Sequence, residues 1–267
     1  MPVINAGEVE LNYERSGSGP PLLMIMGMSG TALSWGESFL EPLRQDFETI
    51  VYDHRGVGES SPMEAPFTIA QLAEDAAALL DALEIDSAHV VGISMGGMVA
   101  QELALAHPAR LRTLTLGCTY SGGEGSSLAT PEVIQRLTEA MMSGDRERAI
   151  RTGWEVNVSA DFADDEAAYA SFLANGLERA VALPVVMAQM QAIGGHETLT
   201  RLPRLTMPTL VVHGTADQMV PVENGRLIAS HIPGSRLEIF DGIGHLFFWE
   251  RPERSAELVR EHAAVPA

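Results

Sequence analysis

Residues 88–101 read Ala88-His89-Val90-Val91-Gly92-Ile93-Ser94-Met95-Gly96-Gly97-Met98-Val99-Ala100-Gln101, and the fold turns on how this stretch is read. A short apolar run ends at Ser94, and a helical pattern leads from Met98 to Ala106, stopping at His107-Pro108. Between them lies Gly92-Ile93-Ser94-Met95-Gly96, a G-x-S-x-G motif in a strand-to-helix turn. Gly92 and Gly96 lack the Cβ atoms that would collide as the turn tightens and strains the serine backbone. Such a turn aims the Ser94 hydroxyl outward, above a helix N-terminus whose free N–H groups favour developing negative charge. By itself the motif is weak, because a glycine-rich turn can carry a bystander serine. Its surroundings decide.

Working outward, Pro21–Met26, Glu48–Tyr52 and Arg112–Leu116 are further compact apolar runs. Thr68 and Gln71 form a capping box ahead of Leu72, Ala76, Leu79, Leu80 and Leu83, which share one helical face. Short strands buried on both faces and separated by helices specify a mostly parallel sheet with helices on both sides. The alternation over 8–13 predicts a half-exposed antiparallel hairpin at one edge. From Thr119 to Leu202 no strand-like run occurs. Helices are expected from Thr130-Pro131, from Asp164-Asp165-Glu166 and over Val181–Ile193. Strands resume at Met207–Val212 and Arg236–Phe240. The expected organisation is an α/β core of residues 1–118 and 203–267 interrupted by a helical cap at 119–202.

A serine nucleophile needs a base, and the base needs an orienting acid. Open α/β sheets place ligands at the C-terminal ends of their strands. There, Asp217 follows the strand that ends in Val212, and His245 follows the one that ends in Phe240. The order Ser94, Asp217, His245 is the one that accompanies a nucleophile elbow. His89 lies inside a strand, His107 ends a helix and His262 sits in the last helix. His213 is expected to pack at its strand end, which leaves His196 as the serious rival base. Asp241 shares a loop with His245 and would struggle to reach the back of the imidazole. The expected oxyanion donors are the backbone N–H groups of Met95 and, in the loop Met26-Gly27-Met28-Ser29-Gly30, of Met28. The eight histidines form no metal-ligand pair, and no metal or other cofactor is expected.

Composition narrows the function classes. The 267 residues can bury roughly three quarters of their unfolded surface, so no staple is required. Thirty-six acidic residues face 17 basic ones, all arginine, for a net charge of −19. The absence of lysine excludes Schiff-base and P-loop lysine chemistry. The negative field argues against nucleic acid and anionic membranes as partners. The single Cys118, at a strand end, reads as a buried thiol in a reducing compartment. With neither a signal-peptide pattern nor a membrane-length apolar run, a soluble cytoplasmic protein is expected.

These residues resemble the α/β-hydrolase family over nearly the whole chain outside the cap. Tyr52-Asp53-His54-Arg55-Gly56-Val57-Gly58-Glu59-Ser60 is similar to the family's D-x-R-G-x-G-x-S loop, and Gly244-His245 through Glu250-Arg251-Pro252 to its terminal histidine segment. The stretch 88–101 resembles 3-oxoadipate enol-lactonases and related small carboxylesterases. Those relatives carry His-Gly where this chain has Met26-Gly27, a departure shared with anthracycline methylesterase-like members. The resemblance implies a twisted sheet of about eight strands with an inserted cap, and a serine hydrolase forming an acyl-enzyme on Ser94. Serine at the elbow argues against haloalkane dehalogenases and epoxide hydrolases, which carry aspartate there. Enol-lactonase, thioesterase, perhydrolase, carbon–carbon bond hydrolase, lyase and a non-turnover receptor stay compatible.

Methionines crowd the expected site: Met28, Met95, Met98 and Met219 near strand ends, and Met141, Met142, Met187 and Met190 in the cap. Together with Phe247 they suggest an adaptable apolar pocket for a neutral ester or lactone of medium size. Arg136, Arg146, Arg148, Arg151 and Arg179 are the candidates for holding a substrate carboxylate, should there be one. The oligomeric state is not legible.

Overall fold

The computed structural model describes residues 2–265. An antiparallel hairpin, β1 (Val3–Ala6) and β2 (Val9–Gly17), precedes β3 (Pro21–Ile25), α1 (Glu37–Arg44), β4 (Glu48–Tyr52), α2 (Ile69–Ala82), β5 (Ala88–Ile93), α3 (Met95–Ala106) and β6 (Leu111–Gly117). Next come α4 (Pro131–Met142), α5 (Arg146–Asn157), α6 (Ala160–Ala163), α7 (Glu166–Glu178) and α8 (Leu183–Gly194). The strand pattern then returns with β7 (Thr209–Gly214), α9 (Glu223–His231) and β8 (Arg236–Phe240), and the chain closes with α10 (Phe247–Glu250) and α11 (Pro252–Ala263).

The eight strands form one sheet in the order β1-β2-β4-β3-β5-β6-β7-β8, antiparallel at the β1-β2-β4 edge and parallel from β4 to β8. Central strands such as β5 and β7 are buried along their whole length. Their continuous apolar character follows from helices on both faces. One face carries α2, α3 and α9, with Leu72, Leu79, Val99, Leu103 and Ile228 in its core. The other carries α1 and α11, with Trp35, Phe39, Phe248 and Leu258. The chain leaves β3 toward β4 and returns to place β5 on the other side of β3, with Ile25 opposite Gly92. The loops after β3 and β5 therefore diverge from one switch point, where open α/β sheets bind ligands.

The expected start of α2 is present: the Thr68 side chain accepts from Gln71 N–H, and Gln71 Oε1 accepts from Thr68 N–H. Helix α5 was not foreseen. It is capped by Asp145, whose carboxylate accepts from Arg148 N–H at 3.0 Å. It also buries Trp154 among Phe162, Tyr169, Phe172 and Trp249. The acidic cap was the readable signal, but the mean polarity of 146–157 hid its apolar stripe. Among the described residues, no single helix is long and apolar enough to cross a membrane.

Candidate active site

Ser94 sits between β5 and α3 at φ 56°, ψ −124°, left-handed backbone that a residue with a side chain rarely adopts. Close packing imposes it. A Cβ on Gly92 would come within 2.4 Å of the Gly96 carbonyl oxygen, and one on Gly96 within 2.0 Å of the Ile25 carbonyl oxygen. The turn is pinned by Ser94 N–H donating to Gly117 O (2.9 Å) and by Thr119 Oγ1 donating to Ser94 O (2.6 Å). Met95 is the first residue of α3, so its N–H has no acceptor within the helix.

The loop after β3 lies against this turn. A Cβ on Gly27 would be 2.9 Å from Ser94 Cβ and 3.5 Å from Ser94 Oγ. His54, from the loop after β4, donates its Nε2–H to the Met26 carbonyl at 2.9 Å. This ring supplies a brace where the resembled relatives carry His-Gly and this chain has Met26-Gly27. Burial lowers the His54 pKa, the Met26 bond opposing it, which keeps the ring neutral. Ser29, at φ 61°, donates its N–H to Gln189 Oε1 of α8 at 2.9 Å.

Asp217 and His245 come from the loops after β7 and β8. His245 Nδ1–H donates to Asp217 Oδ2 at 2.7 Å, and Asp217 Oδ1 accepts the N–H groups of Met219 and Val220, both at 2.8 Å. Burial would raise the Asp217 pKa, but His245 and His213 outweigh it and hold the carboxyl well below its usual range. An ionised carboxylate only accepts, so Nδ1 of His245 is the nitrogen that donates in this bond. Both partners are buried, while Ser94 is half-buried.

The remaining titratable residues fall into place around this pair. His213 packs as expected, but its Nε2–H also points between Val220 O (2.7 Å) and Asp217 Oδ2 (3.3 Å). Asp241 accepts from Thr215 Oγ1, away from His245. His196 is buried beside Thr198 and Glu102, and burial lowers its pKa to about 4. Cys118 is fully buried, and burial together with the Asp217 charge pushes its thiol pKa up, so it stays protonated. Cys118, Asp217 and His245 bring ligand-type atoms within 4.8 Å of one another. A metal there would have to displace the bond between His245 and Asp217.

The expected methionine pocket is not assembled as a unit. Met98 is buried in the core under α3, and Met28 and Met219 are half-buried at their loops. Met141 and Met142 face outward on α4, the latter 70% exposed. Met187 and Met190 line an outer groove of about 570 Å³ with Met63, Pro66, Pro184, Ala188 and Gln191, a lining without Ser94. Phe247 is buried against Phe240 and Phe248. Apolar spacing on these helices does not say which side turns inward, and the inward side of α8 is Val185, Val186, Ala188, Gln189 and Ala192. Gln189 and Glu250 are the site neighbours that sequence reasoning passed over. Glu250 accepts from Gly244 N–H (2.8 Å), Ser159 N–H (2.9 Å) and Ser159 Oγ (2.5 Å), tying the loop of His245 to the end of α5. Of the candidate arginines, Arg136 and Arg151 pair with Glu155, and Arg179 Nη1 donates to buried Asp53 at 3.2 Å.

The family model for the alpha/beta hydrolase fold matches residues 20–252. The chain belongs to this family. The hydrolase is 32% identical over 91% of each chain to rhodomycin D methylesterase of Streptomyces sp. strain C5. It is 30% identical to 3-oxoadipate enol-lactonase 2 of Acinetobacter baylyi, covering 94% of this chain and 91% of that one. The structure of esterase RhEst1 from Rhodococcus sp. ECU1013 superposes with a TM-score of 0.85 at 26% identity, covering 99% of this chain and 98% of that one.

Proposed function

We propose that this hydrolase cleaves a carboxylic ester or lactone of a medium-sized, largely apolar small molecule through an acyl-enzyme on Ser94. The observation that carries the reading is the 2.7 Å bond between His245 and a buried, ionised Asp217, on loops of the same sheet end as the strained Ser94 turn. In the first half-reaction Ser94 Oγ attacks the substrate carbonyl as neutral His245 takes its proton at Nε2. The Met95 and Met28 N–H groups hold the oxyanion, and Asp217 stabilises the imidazolium. His245 then gives its proton to the leaving alcohol, and water repeats the cycle on the acyl-enzyme. No metal or cofactor enters these steps.

Esterase and lactonase relatives support the ester class. The net charge of −19 and the pairing of Arg136, Arg151 and Arg179 with acidic partners favour an uncharged substrate over a carboxylate-bearing lactone. In this reading residues 119–202 act as the cap over the site. Steady turnover of p-nitrophenyl acetate and butyrate is the test, and Ser94→Ala should lower kcat by at least about 10⁴-fold. Wild-type turnover by Ser94→Ala would refute the assignment.

A further inference from the structure

Gln189 is fully buried on the inward side of α8, while Met187 and Met190, one residue before its flank and one after, turn out to the surface. Its Oε1 accepts the Ser29 N–H at 2.9 Å, which settles the orientation of the amide. The Nε2 of the same amide has no protein partner although it is shielded from solvent. A buried donor without an acceptor is costly and is ordinarily satisfied by water or by a ligand. The amide's partner Ser29 lies one residue beyond Met28 and two beyond Gly27, where an added Cβ would stand 2.9 Å from Ser94 Cβ. One end of the amide thus bears on the loop beside Ser94, and the other is left without a protein partner. Oε1 fixes a loop held in left-handed backbone at Ser29, and the NH₂ is a spare donor beside that loop.

We propose that Gln189 has two roles: it positions the oxyanion loop through Ser29, and its NH₂ donates a hydrogen bond to a second oxygen of the substrate near the scissile carbonyl. The preferred substrate class is then an oxygenated ester or lactone, bearing a hydroxyl, ether or keto oxygen one or two bonds from that carbonyl. This assignment rests on the Ser94 reading above. A purely aliphatic acyl chain leaves the donor unpaired, and an oxygen in reach pairs it. The site discriminates because an unmet buried polar group penalises the aliphatic analogue.

The experiment compares p-nitrophenyl butyrate with p-nitrophenyl methoxyacetate, in which an ether oxygen replaces one methylene. Each rate is divided by the ester's hydroxide-catalysed rate to remove intrinsic reactivity. The wild type should prefer the methoxyacetate, and Gln189→Met should cut that preference in kcat/KM by about tenfold, the worth of one such bond. Loss of the Ser29 brace should also lower kcat on both esters. Should Gln189→Met fail to fold, Gln189→Glu, assayed at a pH high enough to ionise its carboxyl, keeps an acceptor for Ser29 N–H and removes the donor. It should lose the methoxyacetate preference to the same extent. An equal loss on the two esters would overturn the donor role, and unchanged kcat on both would overturn the positioning role. Ser94→Ala reports separately: if that variant stays active, the esterase reading fails rather than the role of Gln189.

Discussion

Replacing Gly27 by alanine tests whether the loop after β3 is the oxyanion loop. The added methyl would stand 2.9 Å from Ser94 Cβ and 3.3 Å from Ile93 O, against an ordinary contact of about 3.5–4.0 Å between carbons. Ser94 cannot yield, because its N–H and carbonyl are both bonded, to Gly117 and Thr119. The loop must retreat instead, against the His54 bond to Met26 and the Gln189 bond to Ser29. Overpacking of this kind costs about 1–3 kcal/mol of stability. Displacing one oxyanion donor costs about 3 kcal/mol in the transition state, or roughly 10²-fold in rate. The expected result is kcat/KM for p-nitrophenyl butyrate down about 10²-fold in a protein that still folds cooperatively at 25 °C. Gly153→Ala is the matched control: a Cβ there meets nothing within 4 Å, and alanine gains about 1 kcal/mol of helix propensity inside α5. Lowered stability with wild-type kcat/KM in Gly27→Ala would refute the placement of the oxyanion hole.

Asp217→Asn should lower kcat roughly 10⁴-fold with little change in KM, since an amide favours the wrong imidazole tautomer; steady-state kinetics decide it. Glu250→Leu should destabilise the fold by about 3 kcal/mol in urea denaturation and lower kcat, because the Gly244 and Ser159 donors lose their acceptor. His89 and His196 are held neutral chiefly by burial, with pKa values lowered to about 4. The unfolded chain takes up these protons from about pH 6.5 downward while the folded protein resists until about pH 4, so stability falls as pH drops through that window. Each should cost about 2 kcal/mol at pH 5 relative to pH 8, and denaturant titrations at the two pH values, with His196→Gln as a subtraction, measure it.

Much of the scaffold was legible because its signals are local. The Thr68–Gln71 box, the strand runs and the glycines flanking Ser94 act over a handful of residues, where sterics and periodicity dictate conformation. The parallel sheet followed from those runs, and the rule for strand ends was enough to single out Asp217 and His245. The methionines failed as a pocket for a different reason. Spacing on α4 and α8 marks apolar character, but the rotation of each helix about its axis is set by what packs beneath it. A half-turn of α8 separates Met187 from Gln189. His54 under Met26 and Glu250 under Gly244 were equally hidden, since each pairing joins segments that only the folded sheet brings together.

The sequence by itself determined that a serine would sit on a strained turn at the head of a helix, with an acid and a histidine at later strand ends. It did so because backbone strain, capping and strand order are written in neighbouring residues. The tertiary structure alone decided which groups support that constellation. His213 shares Asp217 with His245, His54 holds Met26, and Gln189 reaches from α8 to Ser29 across 160 positions of sequence. Contacts at that separation are fixed by helix orientation and close packing, and no short window of sequence contains them.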